Sequence, residues 1–264
     1  MRTLLLILMM CVLSASGADR RTIMRNYRGP SGASITVNYW EDFEFGSDGD
    51  NPTALQLEAN HAPYTNDWTL GGTTTLMYVR TAGQKAFTST INGITDSGTR
   101  GLELDINGSN TGARYHYLRV TNGANATSFA VWYKANSLVT SVNTAQPIII
   151  IWNNVGVIQN RILMGTDSSG NPKLAFDNGV TNGTVLTLVS DAWYRLEVLS
   201  QNNTLSSMTV YDTSDVSQGV STATGAPVDF SYVVIGNANT YVELGSLFFD
   251  NLLVNKSGAS PIGP

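Results

Sequence analysis

Glu103 and Asp105 are two carboxylates whose spacing suggests chemistry. They alternate with Leu102, Leu104 and Ile106. On a β-strand, both acids therefore share one face and the aliphatic residues share the other. Paired carboxylates that face a cleft are what glycoside hydrolysis requires. The same alternation also fits a strand whose polar face is simply solvated, so both interpretations stay open.

A second stretch, residues 114–119, combines basic, aromatic and imidazole groups. Tyr115, Tyr117 and Arg119 share one alternation of this predicted strand, whereas His116 falls on the apolar alternation. Two aromatic rings beside an arginine suit sugar binding, because rings pack on the apolar faces of sugars while polar groups hold the hydroxyls. A histidine on an apolar alternation favours a place in the core.

Trp132 and Lys134 are candidates of the same kind on another predicted strand. They alternate with Phe129, Val131 and Tyr133. The Phe/Val/Tyr set suits the core side of a strand, which leaves the other two residues for the opposite face. We therefore predict that Trp132 and Lys134 line a concave, ligand-binding sheet.

Residues 244–254 are apolar on both alternations, and Asp250 is the one charge among them. This pattern predicts a strand buried on both faces. A charge in such a strand is unfavourable unless it is paired, hydrogen-bonded or bound to a metal. A second stretch, residues 39–46, also mixes large aromatics with carboxylates. We predict that these two strands meet and close the domain, and that their acids share a cation.

Residues 1–18 predict a secretory signal peptide, with a basic start at Arg2, an apolar run and a cleavage site of small residues. The apolar run is too short to span a bilayer. A lipidated Cys11 is the alternative, but Met10 is larger than the residue that usually precedes such a cysteine. Because Cys11 is the only cysteine, the exported chain has no disulfide and must rely on a large core. The predicted location is secreted, extracellular or periplasmic.

The charge balance and the termini set further expectations. Loss of Arg2 with the leader leaves 14 of the 15 basic residues against 20 acidic ones. Such an acidic chain speaks against nucleic acid and anionic membranes as partners, and suits neutral glycans or a divalent cation. Residues 19–34 hold four arginines and predict a flexible basic arm, with a tether to an anionic surface polymer as the alternative. Residues 256–264 predict a flexible tail.

Residues 35–255 predict one all-β domain. Five Asn-Gly pairs mark tight turns between short β-rich runs. These runs give about a dozen strands at close spacing and no convincing amphipathic helix, although residues 51–61 are compatible with a helical turn or two. The pattern predicts an antiparallel β-sandwich (jelly roll) of two curved sheets.

Four segments resemble, in the same order, strands of the concanavalin A-like lectin/glucanase superfamily, and in particular its laminin G-like jelly rolls. They are Trp40–Glu44, Ser128–Lys134, Asp191–Val198 and Phe249–Val254. The resemblance runs from about residue 39 to 255 and implies two sheets with the first and last strands adjacent. It does not choose an activity, because this fold hosts lectins, binding modules, hydrolases and lyases.

The resemblance also implies a structural calcium ion where the first and last strands meet. It points to Glu44 and Asp250 as ligands, with Asp42 as a further one, and Ca²⁺ prefers oxygen ligands of this kind. The catalytic patterns of the superfamily are incomplete in this chain. Gly108 stands where the glucanase pattern E-x-D-x-x-E has its last acid, and the two signature strands of the lyases are absent.

Together these observations predict a secreted, non-catalytic β-sandwich module that binds a glycan or cell-surface polysaccharide and does not insert into membranes. The candidate ligand-binding residues are Tyr115, Tyr117, Arg119, Trp132 and Lys134. One alternative is a polysaccharide-degrading enzyme, either a glycoside hydrolase or a polysaccharide lyase. A second alternative is a structural or adhesive surface protein without a small ligand.

Overall fold

The structure is a computed structural model of the chain. It describes residues 39–41, 43, 47–51, 68–72, 77–81, 89–91, 94–96, 100–106, 113–119, 127–136, 146–152, 158–177, 183–200, 205–224, 232–240 and 245–255. The predicted leader, arm and tail, residues 1–34 and 256–264, lie outside this set, as do residues 52–61 of the predicted helical turn. Within the described ranges there is no α-helix, and hence no helix long and apolar enough to cross a membrane.

The described residues form seventeen strands. The first nine are β1 Tyr39–Glu41, β2 Trp68–Gly72, β3 Met77–Arg80, β4 Ser89–Ile91, β5 Ile94–Asp96, β6 Gly101–Ile106, β7 Ala113–Arg119, β8 Thr127–Asn136 and β9 Gln146–Trp152. The other eight are β10 Ile158–Thr166, β11 Pro172–Asp177, β12 Leu186–Thr187, β13 Trp193–Ser200, β14 Leu205–Tyr211, β15 Ser217–Thr224, β16 Tyr232–Thr240 and β17 Gly245–Asn255.

The strands form two large antiparallel sheets and one separate hairpin. The eight-stranded sheet has the order β15-β14-β13-β8-β17-β6-β3, and β1 also pairs with β17. The seven-stranded sheet has the order β12-β11-β10-β9-β16-β7-β2, and β4 pairs with β5. The predicted all-β antiparallel sandwich is confirmed. Residues 147–152, which are apolar throughout, form most of β9 and lie at the centre of the seven-stranded sheet.

The core lies between the two large sheets and follows the alternation of the strands. On β8, Phe129, Val131 and Tyr133 are fully buried core residues, as the sequence predicts. The Tyr133 hydroxyl donates a hydrogen bond of 2.8 Å to the sulfur of Met164 on β10, which joins the two sheets directly. The Tyr133 ring also packs at a tilt against Phe249 of β17, with 5.7 Å between ring centroids. Tyr133 therefore connects both sheets and two neighbouring strands of one sheet.

Strand β17 is the centre of the eight-stranded sheet. One edge pairs with β8 along most of its length. The other edge pairs first with β6, from Gly245 to Phe249, and then with β1, from Leu252 to Val254. The predicted meeting of the first and last strands is confirmed by this β1–β17 ladder. The change of partner, from β6 to β1, falls at Asp250 and Asn251.

A β-bulge marks that change of partner. Between Asp250 and Leu253, β17 advances three residues while its partner β8 advances two. Asn251 has a φ of 50°, a left-handed conformation that asparagine tolerates better than most residues. The extra residue reverses the alternation, so Phe249 and Leu252 both face the core although they are three residues apart.

The two sheets approach each other closely at the side of the sandwich where β15 meets β11. The backbone N–H of Phe176 donates to Ser221 Oγ at 3.0 Å, and the N–H of Gly183 donates to the Phe176 carbonyl at 2.7 Å. A Cβ atom on Gly183 would lie 2.7 Å from the carbonyl oxygen and 2.9 Å from the nitrogen of Thr222. Only glycine therefore fits between these two backbones.

We expect Gly183→Ala to destabilise the protein, because its methyl group must displace backbone atoms rather than a mobile side chain. Overpacking of this kind raises the free energy of the folded state by about 1–3 kcal/mol. Urea denaturation measures the loss, and Thr184→Ala at the exposed neighbouring position is the control. Equal midpoints for the two variants would show that the β11–β15 approach is not a tight contact.

Candidate functional site

The outer face of the seven-stranded sheet is the candidate site, where "outer" means the face turned away from the other sheet. On β10 and β11, Ile162 and Phe176 belong to the core. Successive side chains point to opposite faces, so Arg161 and Asp177 lie on the outer face. These two residues are directly opposed in the β10–β11 ladder and form an ion pair between Arg161 Nη2 and Asp177 Oδ2.

This ion pair lies in one row of opposed residues that crosses five strands. The row runs from Tyr117 on β7 to Val234, Ile150, Arg161 and Asp177. The two aliphatic members in the middle are buried. At about 4.8 Å between strands, the row is about 19 Å long. Two buried aliphatic residues thus lie between the aromatic position and the charged pair.

The Arg161–Asp177 pair combines a buried acid with a partly open base. The Asp177 side chain is 3% exposed and the Arg161 side chain is 31% exposed. An acid at that depth requires its partner, because removal of one member of a buried pair leaves an uncompensated charge. The Arg161 Nε–H group is buried and makes no hydrogen bond. The exposed part of the guanidinium, and not this Nε–H, is what a ligand could reach.

The turn between β10 and β11 sets the register of this pair. Asp167 Oδ1 accepts hydrogen bonds from the backbone N–H groups of Ser169 and Asn171, at 2.8 and 2.9 Å. Gly170 has a φ of 81°, which glycine adopts without strain. These hydrogen bonds hold the pKa of the Asp167 carboxyl below its ordinary value, chiefly through the backbone N–H of Asn171.

Three of the predicted ligand residues belong to the same sheet. Tyr115, Tyr117 and Arg119 lie on β7, between β16 and β2. For these three residues the structure describes the backbone alone. The β7 register places His116 opposite Ile235, a core residue, in agreement with the predicted core alternation. Strand β7 therefore contributes Tyr117 to the row that contains Arg161.

The other two predicted ligand residues lie on the opposite side of the sandwich. Trp132 and Lys134 are on β8, in the eight-stranded sheet. Trp132 is 2% exposed. Lys134 Nζ lies 5.3 Å from the Trp193 ring centroid, 4.7 Å from that of Phe248 and 3.7 Å from Asp191 Oδ1. The five predicted residues are thus divided between two sheets and do not form one site.

The paired carboxylates of the hydrolase hypothesis also belong to the eight-stranded sheet. Leu104 of β6 is a core residue, so Glu103 and Asp105 share the outer face of this sheet, as their alternation predicts. Arg80 Nε donates to Glu103 Oε2 at 2.8 Å, and this hydrogen bond raises the pKa of Arg80. The Arg80 guanidinium also lies 4.4 Å from the Tyr78 ring centroid. Glu103 thus serves as the ion-pair partner of Arg80.

A buried charge cluster on β13 and β14 was not expected from the sequence. Arg195 is fully buried, and it donates to Glu197 Oε2 at 3.2 Å and to Asp215 Oδ1 at 3.0 Å. Its guanidinium lies 4.3 Å from the Tyr211 ring centroid, and burial raises the pKa of that tyrosine. Asp215 has a φ of 59°. The sequence did contain a signal for this cluster, because Arg195 and Glu197 alternate with Leu196 in an otherwise apolar strand.

The predicted metal ligands are only partly described. Asp250 is buried on β17, beside the bulge, and its carboxylate is an oxygen donor of the kind that calcium prefers. Asp42 and Glu44 lie outside the described residues, just beyond the end of β1. The described ranges contain no group of three or more histidine, cysteine or acidic residues placed to hold a metal ion. Calcium therefore remains a prediction.

Comparisons with known proteins give no family assignment. No family model and no curated protein matches the chain. Among solved structures, the chain is similar to the conserved carbohydrate esterase of Shiga toxin-encoding bacteriophage phi24B. That match has 12% identity, covers 85% of this chain and 100% of the other, and has a TM-score of 0.48. The match to Cip1, a cellulose induced protein, has 12% identity, coverages of 83% and 98%, and a TM-score of 0.47.

The receptor-binding domain of botulinum neurotoxin D is also similar, at 13% identity and a TM-score of 0.41. That match covers 71% of this chain, which spans only 46% of the toxin domain's length. All three similarities are too distant to transfer an activity to this chain.

We expect Asp167→Ala to destabilise the protein at neutral pH, because it removes the acceptor that organises the β10–β11 turn. Folding lowers the pKa of this carboxyl from its ordinary 3.8, so the ionised form stabilises the folded state above that pH. The contribution is lost as the pH falls through the folded-state pKa. The difference in melting temperature from the wild type should therefore shrink on acidification. Ser168→Ala is the control, and a pH-independent difference would contradict this account.

Proposed function

We propose that this protein is a non-catalytic carbohydrate-binding β-sandwich module and that it binds its ligand on the outer face of the seven-stranded sheet. The carrying observation is the row that places Tyr117 and the Arg161–Asp177 pair in register on five strands, with two buried aliphatic residues between them. The ladders fix the positions of Tyr117 and Arg161 on the sheet before any ligand binds. Such pre-organisation lowers the entropy lost on binding.

The chemistry of this row suits a glycan. An aromatic ring packs against the apolar face of a sugar, and the exposed N–H groups of a guanidinium donate to hydroxyl or carboxyl oxygens. Ligand sites commonly combine an apolar surface with a few placed polar groups. The Arg161 side chain is 31% exposed, and Asp177 holds its guanidinium in place.

The state of Glu103 and Asp105 supports the non-catalytic part of the proposal. Glycoside hydrolysis requires two carboxylates across a cleft. Glu103 is engaged with Arg80, and it lies with Asp105 on the opposite sheet from the proposed binding row. We further propose that residues 1–18 direct the protein out of the cytoplasm, on the strength of their basic, apolar and small-residue segments.

A structural calcium ion near Asp250 is the second part of the proposal. The donor type fits, and the β1–β17 ladder ends shortly before Asp42 and Glu44 in the chain. A calcium ion held by Asp250, Glu44 and Asp42 would supply positive charge to a buried carboxylate and tie the end of β1 to β17.

We expect wild-type protein to bind members of a glycan array, and Tyr117→Ala to weaken that binding about tenfold. Loss of one well-packed aromatic contact weakens binding by about 1–2 kcal/mol, or roughly a factor of ten. Isothermal titration with the best array glycan measures the change. Tyr78→Ala, a tyrosine of the opposite sheet, is the matched control.

Parallel activity assays on glucan and uronate polymers complete this test. Turnover of any polymer would overthrow the non-catalytic assignment. Absence of both binding and turnover would favour a structural or adhesive role. An effect of Tyr78→Ala equal to that of Tyr117→Ala would move the site away from the seven-stranded sheet.

We expect calcium to raise the melting temperature of the wild type and to have no such effect on Asp250→Asn. A ligand at one hundred times its Kd stabilises the folded state by about 2.7 kcal/mol. Differential scanning calorimetry in calcium and in chelator measures this difference. Asp191→Asn, an exposed acid elsewhere, should keep the full calcium response. A wild-type melting temperature that is identical with calcium and with chelator would remove calcium from the proposal.

A further inference from the structure

The two sheets of the sandwich carry charge of opposite sign. The strands of the eight-stranded sheet contain five acidic and three basic residues, for a net charge of −2; they are Glu41, Glu103, Asp105, Glu197 and Asp250 against Arg80, Lys134 and Arg195. The strands of the seven-stranded sheet contain one acidic and four basic residues, for a net charge of +3; they are Asp177 against Arg114, Arg119, Arg161 and Lys173. A chain of net charge −5 thus has one cationic sheet.

Part of this positive charge lies on the outer face itself. Leu174 and Phe176 of β11 face the core, so Lys173 shares the outer face with Asp177, and Lys173 is directly opposite Gly165 in the ladder. Arg161 lies on the neighbouring strand of the same face. Asp177 is the single acid among the strands of this sheet, and Arg161 already binds it. Asp167 in the β10–β11 turn interacts electrostatically with Lys173. With this acid included, the strands of the sheet and the turn still contain four basic residues against two acidic ones.

We propose that this face binds an anionic polysaccharide, one that carries carboxylate or sulfate groups, rather than a neutral one. The inference rests on the proposed function, since it specifies the ligand class of the same site. It departs from the expectation from overall charge, which favoured neutral glycans, because 19 of the 20 acidic residues lie outside the strands of this sheet. The acidic sheet also repels a polyanion and orients it towards the cationic sheet.

The spacing of the basic positions fits a polymer of low charge density. Lys173 is four residues from Asp177 on β11 and therefore about 14 Å from Arg161, and Arg119 on β7, three strands from Arg161 and two residues beyond Tyr117, is about 16 Å from Arg161. Duplex DNA has one charge per about 1.7 Å and is bound by domains with a strongly basic surface. A polysaccharide with about one charge per sugar is a better match to these widely spaced basic positions.

Two arginines provide a matched pair of variants. Arg161 and Arg80 each bind a cross-strand acid on the outer face of a sheet, and their side chains are 31% and 32% exposed. They differ in the sheet to which they belong. Arg161→Gln and Arg80→Gln therefore remove the same charge from similar surroundings on opposite faces. Lys173→Gln is a second variant on the binding face, and it does not leave a buried acid without its partner.

The experiment is titration of wild type and the three variants with polygalacturonate, dextran sulfate, neutral dextran and duplex DNA at several salt concentrations. We expect wild type to bind at least one charged polysaccharide, with log affinity falling against log salt at a slope of about −2 for three contacts. We expect Arg161→Gln and Lys173→Gln each to weaken binding at least fivefold. Arg80→Gln should change affinity less than twofold.

Each contrary result has a separate meaning. Binding of neutral dextran as tight as that of the charged polymers, without salt dependence, would overturn the anionic class and leave the proposed function in place. Failure to bind any polymer here or any glycan on the array would overturn both. Binding of duplex DNA as tight as that of the polysaccharides, or equal effects of Arg80→Gln and Lys173→Gln, would also overturn this inference. If Arg161→Gln fails to fold, Lys173→Gln alone decides the outcome.

Discussion

The fold depends on the requirement that β17 be enclosed on both faces and paired along both edges. Four of its side chains enter the core, namely Leu247, Phe249, Leu252 and Val254. Full burial of side chains of this size contributes about 1.5–3 kcal/mol each, or about 6–12 kcal/mol in all. A typical domain is stable by only about 5–15 kcal/mol. The packing of this one strand is therefore comparable with the net stability expected of the whole domain.

The bulge at Asn251 explains why β17 is apolar on both alternations. Before the bulge, Leu247 and Phe249 face the core, and after it Leu252 and Val254 do so. A regular strand with this sequence would send one of those pairs to the outer face. The same irregularity lies where β17 changes its partner from β6 to β1, so Asp250 occupies a break between two ladders. This buried acid is the reason why we propose a calcium ion beside Asp250.

Alternation in the sequence predicted which face a residue occupies, but it did not predict which sheet. Phe129, Val131 and Tyr133 were assigned correctly to the core, because a face depends only on the period of the strand. Trp132 and Tyr117 were grouped as one site, yet they lie in different sheets, since sheet membership depends on long-range pairing. Strand β15 was missed altogether. Its run of Ser, Gln, Gly and Thr has little apolar character, and it forms because it pairs with β14.

The Arg161–Asp177 pair was within reach of sequence reasoning, because the two residues are equally distant from Ser169 in a predictable hairpin. It was overlooked because an acid and a base on neighbouring strands are usually no more than a surface ion pair. This pair differs from a surface ion pair because Asp177 is buried. In the acidic sheet, Arg80 reduces repulsion among neighbouring acids. In the basic sheet, the buried Asp177 fixes an arginine whose side chain is partly exposed. The same kind of cross-strand pair therefore neutralises an acid on one face and holds a partly exposed guanidinium in a fixed position on the other.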